Sequence, residues 1–210
     1  MTGTPIDMAT WPRAEAFALF RGFQKPQYAV SARIDMTPAL RRRAGQAGFP
    51  LYLASVHAVG AGLHAVEELG LRIRGAGAVW HRRVRLSPTL LFDDGRLGFG
   101  YVDWTPDFAA FAGAARTALD ATRAAGRVEP GLEGDDDIAF LSCLPWLDFA
   151  ALDNPVLGPD DCIPRVSWGK IVGDAQGASM AMSIQVHHAL VDGQHVAQFF
   201  AAVQAAIDAL

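Results

Sequence analysis

The chain has 210 residues, of which 51% are apolar and 19% are charged, with a formal net charge of −4. This composition is typical of a globular protein and predicts a single domain over residues 1–210. The slightly acidic balance, with no basic run longer than the three arginines at 41–43, argues against nucleic acid as a partner. Neither a membrane span nor a signal peptide is predicted, and two cysteines offer no disulfide framework, so we expect a cytoplasmic protein.

Hydrophobic periodicity predicts a mixture of strands and helices along the whole chain. Capping residues support the helices over 37–48 and 105–126. In the first of these, Thr37 is the expected N-cap and Gly48 is the expected stop. An Asp-Asp-Gly turn predicts a hairpin between the second and third strands. The mixture indicates an α/β or α+β fold with a mixed β-sheet. In chain order the predicted elements are strand 27–36, helix 37–48, helix 50–69, strand 85–92, strand 96–102, helix 105–126, strand 138–144, strand 163–172, strand 178–188 and helix 195–210.

The segment "QVHHALVDGQH" at 185–195 holds three of the six histidines in the chain. Alternation along a strand places His188 in phase with Val186 on a buried face and turns His187 the opposite way, so the pair is poorly arranged to share one metal ion. Common zinc spacings are absent as well. Two interpretations stay open: a structural histidine cluster, or a neutral imidazole that acts as a general base near neutral pH.

This segment fits the HH-x-x-x-D-G signature of coenzyme-A-dependent acyltransferases, and its longer form resembles the classical chloramphenicol acetyltransferases. Three further stretches match that family in the same order: "WPRAEAF" near the N-terminus, "SCLPWLDF" and "VSWGK". The resemblance covers nearly all of the chain. It implies the family's fold, a two-layer sandwich in which helices cover a mixed β-sheet.

The resemblance also implies roles for individual residues. His188 would be the general base that deprotonates the acceptor hydroxyl, and the Ser142 hydroxyl would donate a hydrogen bond to the oxyanion of the tetrahedral intermediate. Asp192 would pair with Arg13 and hold the catalytic loop instead of acting in a triad. Ser167 stands where the family has a threonine that supports the transition state through water.

Ligands and assembly are implied in the same way. Acetyl-CoA would be the co-substrate, contacted by Trp146 and Lys170, and no metal is expected. Family members are homotrimers with active sites between subunits, so a homotrimer is expected here. The residues that we expect to line an apolar acceptor pocket are Leu19, Phe20, Tyr28 and Leu152.

Other residues near these motifs have plainer interpretations. Cys143 follows Ser142, so alternation places it on the opposite face, where a small core residue is expected instead of a nucleophile. His57 and His64 are seven residues apart and share one face of a helix. We interpret them, together with His187 and His195, as structural.

Departures from the family pattern leave the acceptor open. Gln194 replaces an aromatic residue, Ile171 follows Lys170 in place of an aromatic, and Phe20 stands where tyrosine is common. Three hypotheses follow: O-acetylation of chloramphenicol, the same chemistry on another small alcohol or amine, and a non-catalytic trimeric binding protein on this scaffold. A lipoyl acyltransferase core is disfavoured, because Ala189 replaces the usual arginine and no lipoyl segment is found upstream.

Overall fold

The structure is a computed structural model that describes residues 3–126 and 135–210. None of the helices in these ranges combines the length and apolarity that crossing a membrane demands. A short 3₁₀ helix spans Glu67–Gly70. The remaining elements are β1 Thr4–Pro5, α1 Ala14–Arg21, β2 Gln27–Asp35, α2 Thr37–Gly45, α3 Leu51–Ala65, β3 Leu71–Arg74, β4 Gly77–Trp80, β5 Arg85–Leu91, β6 Leu97–Phe99, α4 Phe108–Ala125, β7 Ile138–Cys143, β8 Arg165–Asp174, β9 Gly177–His187 and α5 Gly193–Asp208.

Six strands form the main sheet in the order β2-β9-β8-β7-β5-β6. The β5–β7 and β7–β8 pairs are parallel and the other pairs are antiparallel, so the sheet is mixed. Apolar side chains of α3 and α5, among them Leu63 and Phe199, are fully buried together with Met182 and Ile184 of β9. This confirms the predicted fold class of helices packed on a mixed sheet.

The register of the central strands aligns serines from neighbouring strands. Ser142 of β7 pairs with Ser167 of β8, which pairs with Ser183 of β9, which in turn pairs with Ser31 of β2. Residues directly opposite each other point to the same face of a sheet. The four serines therefore form one row across the sheet, on the face that Met182 and Ile184 of β9 point away from.

Several helix boundaries differ from the prediction. The expected stop at Gly48 is wrong, because α2 ends at Gly45 and Gln46 already has an extended backbone. Thr37 is not an N-cap, because its hydroxyl accepts a hydrogen bond from the Ala178 backbone N–H at 2.9 Å and so ties α2 to β9. The helix predicted over 50–69 ends at Ala65, since Val66 has an extended backbone and buries its side chain in the core.

Short strands account for most of the other differences. β1, β3 and β4 form a separate sheet of three strands that was not predicted, and none of them exceeds four residues. The strand predicted over 96–102 is reduced to β6, and only an isolated bridge from Val102 to Leu86 continues it. The hairpin between β5 and β6 is confirmed, with Gly95 in the left-handed region that its turn requires.

Candidate active site

The loop from β9 to α5 carries the first group of predicted site residues. The backbone N–H groups of Leu190 and Val191 donate to the His187 carbonyl at 2.9 and 3.0 Å and close a tight turn. The side chains of Ala189, Leu190 and Val191 are buried in the core. Because these hydrogen bonds and buried side chains hold the loop, it presents His188 at the end of the sheet in a defined position.

Arg13 holds this loop through four hydrogen bonds. Its guanidinium donates to the His188 carbonyl at 2.7 Å, to the Ala189 carbonyl at 2.8 Å and to Asp192 Oδ1 at 2.6 Å, and a further close contact joins Nη1 to Asp192 Oδ2. Hydrogen bonding to Arg13 lowers the pKa of the Asp192 carboxyl. The Arg13–Asp192 pair expected from the resemblance is thus present, and it binds both ends of the loop.

The imidazole of His188 lies against two aromatic rings. The Phe20 ring is stacked on it at a centroid distance of 3.8 Å and an interplanar angle of 7°, and the Tyr28 ring lies 4.9 Å away. The Tyr28 hydroxyl donates to the Val191 carbonyl at 3.2 Å, and burial raises the pKa of Tyr28 to about 12, so this hydroxyl stays protonated. The side chain of His188 is 37% exposed, which leaves one edge of the ring accessible.

The two nitrogens of His188 have different surroundings. Nδ1 lies 3.2 Å from Asp192 Oδ1, but the contact lacks hydrogen-bond geometry, and Nδ1 has no hydrogen-bond partner among the described residues. Both Asp192 oxygens are occupied by Arg13. Asp192 therefore serves mainly as the partner of Arg13.

The neighbouring histidines have structural contacts. His187 is buried, its Nδ1 accepts from the Ala189 backbone N–H at 3.1 Å, and its Nε2 therefore donates to the Pro159 carbonyl at 2.8 Å. These contacts lie away from the rings around His188, which confirms that His187 and His188 face opposite ways. His195 Nδ1 accepts from the Asp192 backbone N–H at 3.0 Å and caps α5. Its Nε2 lies 3.5 Å from a Glu68 oxygen, a contact that no sequence pattern indicated.

The second group of predicted residues lies in a pocket of about 360 Å³. Ser142 is half-buried and Ser167 is fully buried, and neither hydroxyl makes a hydrogen bond with a described residue. Both hydroxyls are therefore free to bind a ligand. The residues that line this pocket are Thr89, Phe99, Phe140, Leu141, Ser142, Asn154, Pro155, Val156, Leu157, Arg165 and Ser167.

His188 is not among the described residues that line this pocket. Ser142 is level with Ser183, two strand spacings across the sheet, and His188 lies five residues after Ser183, just past the end of β9. With strands about 4.8 Å apart and a rise of about 3.4 Å per residue, their Cα atoms are separated by roughly 20 Å. A single chain thus keeps the predicted base and the predicted oxyanion donor too far apart to act on the same substrate atoms.

The four predicted acceptor residues fall in two places. Phe20 and Tyr28 lie at His188, as described, and Leu19 next to them is 61% exposed. The carbonyl of Leu152 accepts from the Ser183 hydroxyl at 3.1 Å, on the serine face of the sheet. A single chain therefore does not gather the four predicted acceptor residues into one pocket.

Trp146 and Lys170 lie close to each other on the surface. The Lys170 backbone N–H donates to the Leu147 carbonyl at 2.7 Å, which brings the turn that carries Trp146 beside β8. The Trp146 side chain is 70% exposed, and no ion pair joins the Lys170 ammonium to a described carboxylate. An exposed indole and an unpaired cation fit contacts with an adenine ring and a phosphate.

The other candidate chemistries find little support. Burial raises the pKa of the Cys143 thiol to about 11, which disfavours a thiolate nucleophile. His57 and His64 share one helix face, as predicted, and both rings pack against Trp104 at 5.8 and 4.8 Å. Within residues 3–126 and 135–210, no group of three or more histidine, cysteine or acidic side chains is arranged to hold a metal ion.

Comparison with known proteins identifies the family. The family model described as chloramphenicol acetyltransferase matches residues 1–204. The chain belongs to this family. It is 24% identical over 210 residues to chloramphenicol acetyltransferase 2 of Escherichia coli, covering 99% of this chain and 98% of that protein. It is 29% identical over 205 residues to a chloramphenicol acetyltransferase of Streptomyces acrimycini, covering 94% of this chain and 90% of that protein.

Solved structures support the same fold. A chloramphenicol acetyltransferase structure superposes with a TM-score of 0.87 at 24% identity and covers 98% of this chain and 100% of that one. A dihydrolipoamide acetyltransferase of Azotobacter vinelandii reaches a TM-score of 0.66 at 15% identity, covering 99% and 91% of the two chains. The predicted family and fold are therefore confirmed. Membership of the chloramphenicol acetyltransferase family also confirms the enzyme class, an acetyl-CoA-dependent acetyltransferase.

Proposed function

We propose that this enzyme transfers the acetyl group of acetyl-CoA to a hydroxyl of chloramphenicol within a ternary complex, with the whole chain as one acyltransferase domain. Family membership supports the acetyl donor. The observation that carries the mechanism is the Arg13 clamp, which holds both the His188 carbonyl and the Asp192 carboxylate. A loop with this many fixed points presents one imidazole in one orientation, as a positioned general base requires.

His188 acts as the base through Nε2. This nitrogen makes no hydrogen bond with a described residue, whereas Nδ1 lies 3.2 Å from an Asp192 carboxylate oxygen. Nε2 takes the proton of the acceptor hydroxyl as the oxygen attacks the thioester carbonyl. It then returns the proton to the departing thiolate. The stacked Phe20 ring keeps the imidazole from tilting during both transfers.

The oxyanion donor comes from a second copy of the chain. Because Ser142 and His188 are roughly 20 Å apart within one chain, only an assembly brings a Ser142 hydroxyl next to His188. Exposed apolar side chains at Leu91, Leu97 and Leu157 provide surface for such an assembly. We propose a homotrimer, in which each active site combines His188 of one subunit with the Ser142 pocket of the next.

The test is release of free thiol from acetyl-CoA by the purified protein, with and without chloramphenicol. We expect release that depends on chloramphenicol, is abolished in His188→Ala, and falls about 10²–10³-fold in Ser142→Ala. Ser31→Ala is a matched control, because Ser31 belongs to the same serine row but lies outside the pocket. Its turnover should equal that of the wild type.

Other outcomes separate the alternatives. Release with other alcohols or amines but not with chloramphenicol would keep the mechanism and change the acceptor. If a folded, assembled protein released no thiol with any acceptor, the non-catalytic hypothesis would replace this proposal. Normal turnover in His188→Ala would contradict the general-base role itself.

A further inference from the structure

Glu68 brings a carboxylate to the start of α5 from an element that carries none of the predicted site residues. It lies in the 3₁₀ helix Glu67–Gly70, which is held in place because Val66 and Leu69 are buried in the core. Glu68 Oε1 lies 3.5 Å from His195 Nε2, and the side chain of His195 is only 10% exposed. The carboxylate therefore faces an imidazole whose position is already fixed by packing.

The hydrogen bonds of His195 determine which of its nitrogens carries the proton. Nδ1 accepts from the Asp192 backbone N–H at 3.0 Å, so in the neutral ring the proton is on Nε2. This proton faces the Glu68 carboxylate. Gln194 Nε2 also lies 3.3 Å from His195 Nε2, but in this orientation both nitrogens carry hydrogen, so the amide does not bind the ring.

The Glu68 carboxylate favours one of the two neutral forms of His195. With the proton on Nε2, the ring offers a lone pair to the Asp192 N–H and a hydrogen to the carboxylate. The other form would place a hydrogen on Nδ1 against the Asp192 N–H and a lone pair against the carboxylate, so both contacts would be repulsive. Glu68 thus stabilises the form of His195 that binds the backbone of the catalytic loop.

Asp192 is held from two directions as a result. His195 accepts from the Asp192 backbone N–H, and its own backbone N–H donates to the Asp192 side chain in a capping box. Arg13 donates to both oxygens of the same carboxylate. Because Asp192 Oδ1 lies 3.2 Å from His188 Nδ1, a displacement of Asp192 is felt at the ring that the proposed mechanism uses.

We propose that Glu68 is a positioning residue for acetyl transfer, which acts on His188 through His195 and Asp192. It keeps His195 in the form that holds the loop backbone, and the loop in turn keeps His188 oriented for proton transfer. The Glu68 side chain is 34% exposed, so solvent screens its charge and the expected effect is moderate. The inference rests on the proposed function, in which His188 is the base.

Turnover of three variants tests the role of Glu68. Glu68→Ala should lower kcat about tenfold without changing KM for acetyl-CoA, because a small displacement of a catalytic group slows the chemical step. Glu68→Gln keeps an oxygen that accepts from His195 Nε2, and its kcat should lie within about threefold of the wild type. Glu67→Ala is the matched control, because Glu67 belongs to the same 3₁₀ helix but has no ion pair with a described residue. Its kcat should equal that of the wild type.

A double-mutant cycle tests the route through His195. In His195→Asn the amide oxygen takes the place of Nδ1 and accepts from the Asp192 N–H, but the side chain is too short to present a hydrogen to Glu68. In this background, Glu68→Ala should change kcat by less than about twofold. A full tenfold loss there would overturn the inference, since Glu68 would then act by another route.

Hydrogen exchange distinguishes failure of the inference from failure of the proposed function. Exchange of the backbone amides over residues 188–195 is followed by mass spectrometry in the wild type and in the three single variants of Glu67 and Glu68. It should be faster in Glu68→Ala alone, and this comparison holds even if neither chloramphenicol nor another alcohol is acetylated. Unchanged exchange in Glu68→Ala would overturn the inference, and so would a loss of kcat that Glu67→Ala shares.

Discussion

Complementation between two inactive variants tests the division of the active site most directly. His188→Ala removes the base but keeps the Ser142 pocket, and Ser142→Ala does the reverse. Each variant alone should have about 1% of wild-type turnover or less, because loss of a general base or of an oxyanion donor costs at least about 10²-fold. If each site combines His188 of one chain with Ser142 of another, mixed assemblies regain activity.

The size of the recovery follows from the assembly. Each variant carries a different affinity tag, and tandem purification after co-expression selects assemblies that contain both. A mixed trimer contains one intact site among three, so turnover should recover to about one third of the wild-type value. A mixed dimer contains one intact site among two and should recover to about half. The recovery therefore reports both the shared site and the number of subunits.

Two controls guard the interpretation. Assemblies built from two differently tagged His188→Ala chains should show no recovery, which excludes an effect of the tags. Tandem purification ensures that each particle contains both chains, and light scattering on the purified mixture measures the mass of that particle. Mixed particles that stay at the activity of the parents would refute the reasoning, since the two residues would then act within one chain or not in one site.

Three further predictions concern the loop and its surroundings. Asp192→Asn should lower the free energy of unfolding by about 2 kcal/mol and the Tm by about 4–8 °C, because a partly buried charged hydrogen bond is lost. Because Arg13 lowers the pKa of Asp192, this stabilisation of the folded state is full above about pH 4 and is lost as the pH falls through the pKa of the folded protein. Thermal melts of the wild type and the variant between pH 3 and 7 should show this loss. Phe20→Ala should reduce kcat about tenfold without changing KM for acetyl-CoA, whereas Phe20→Tyr, which keeps an aromatic ring, should have the kcat of the wild type. Equal kcat in the wild type and both variants would show that the stacked ring does not contribute to turnover. With a pKa of about 11, the Cys143 thiol should resist iodoacetamide at pH 8 in the folded protein, and rapid alkylation with loss of turnover would contradict its assignment to the core.

The sequence alone predicted the surroundings of His188 well. Strand alternation separated His187 from His188, and the contacts of the two rings confirm it. The Arg13–Asp192 pair came from the resemblance and not from spacing, because 179 residues separate the partners. Short strands such as β3 and β4 escaped prediction, since four residues are too few to show a period.

The separation of Ser142 from His188 could not be predicted, because it depends on the order of strands in the sheet. Alternation assigns a side chain to a face within its own strand but says nothing about which strands are neighbours. The order β9-β8-β7 sets two strand spacings between the catalytic loop and Ser142, and the register of the serine row sets the offset along them. The strand order thus makes a second subunit necessary for the proposed chemistry, because no single chain can bring Ser142 and His188 to the same substrate atoms.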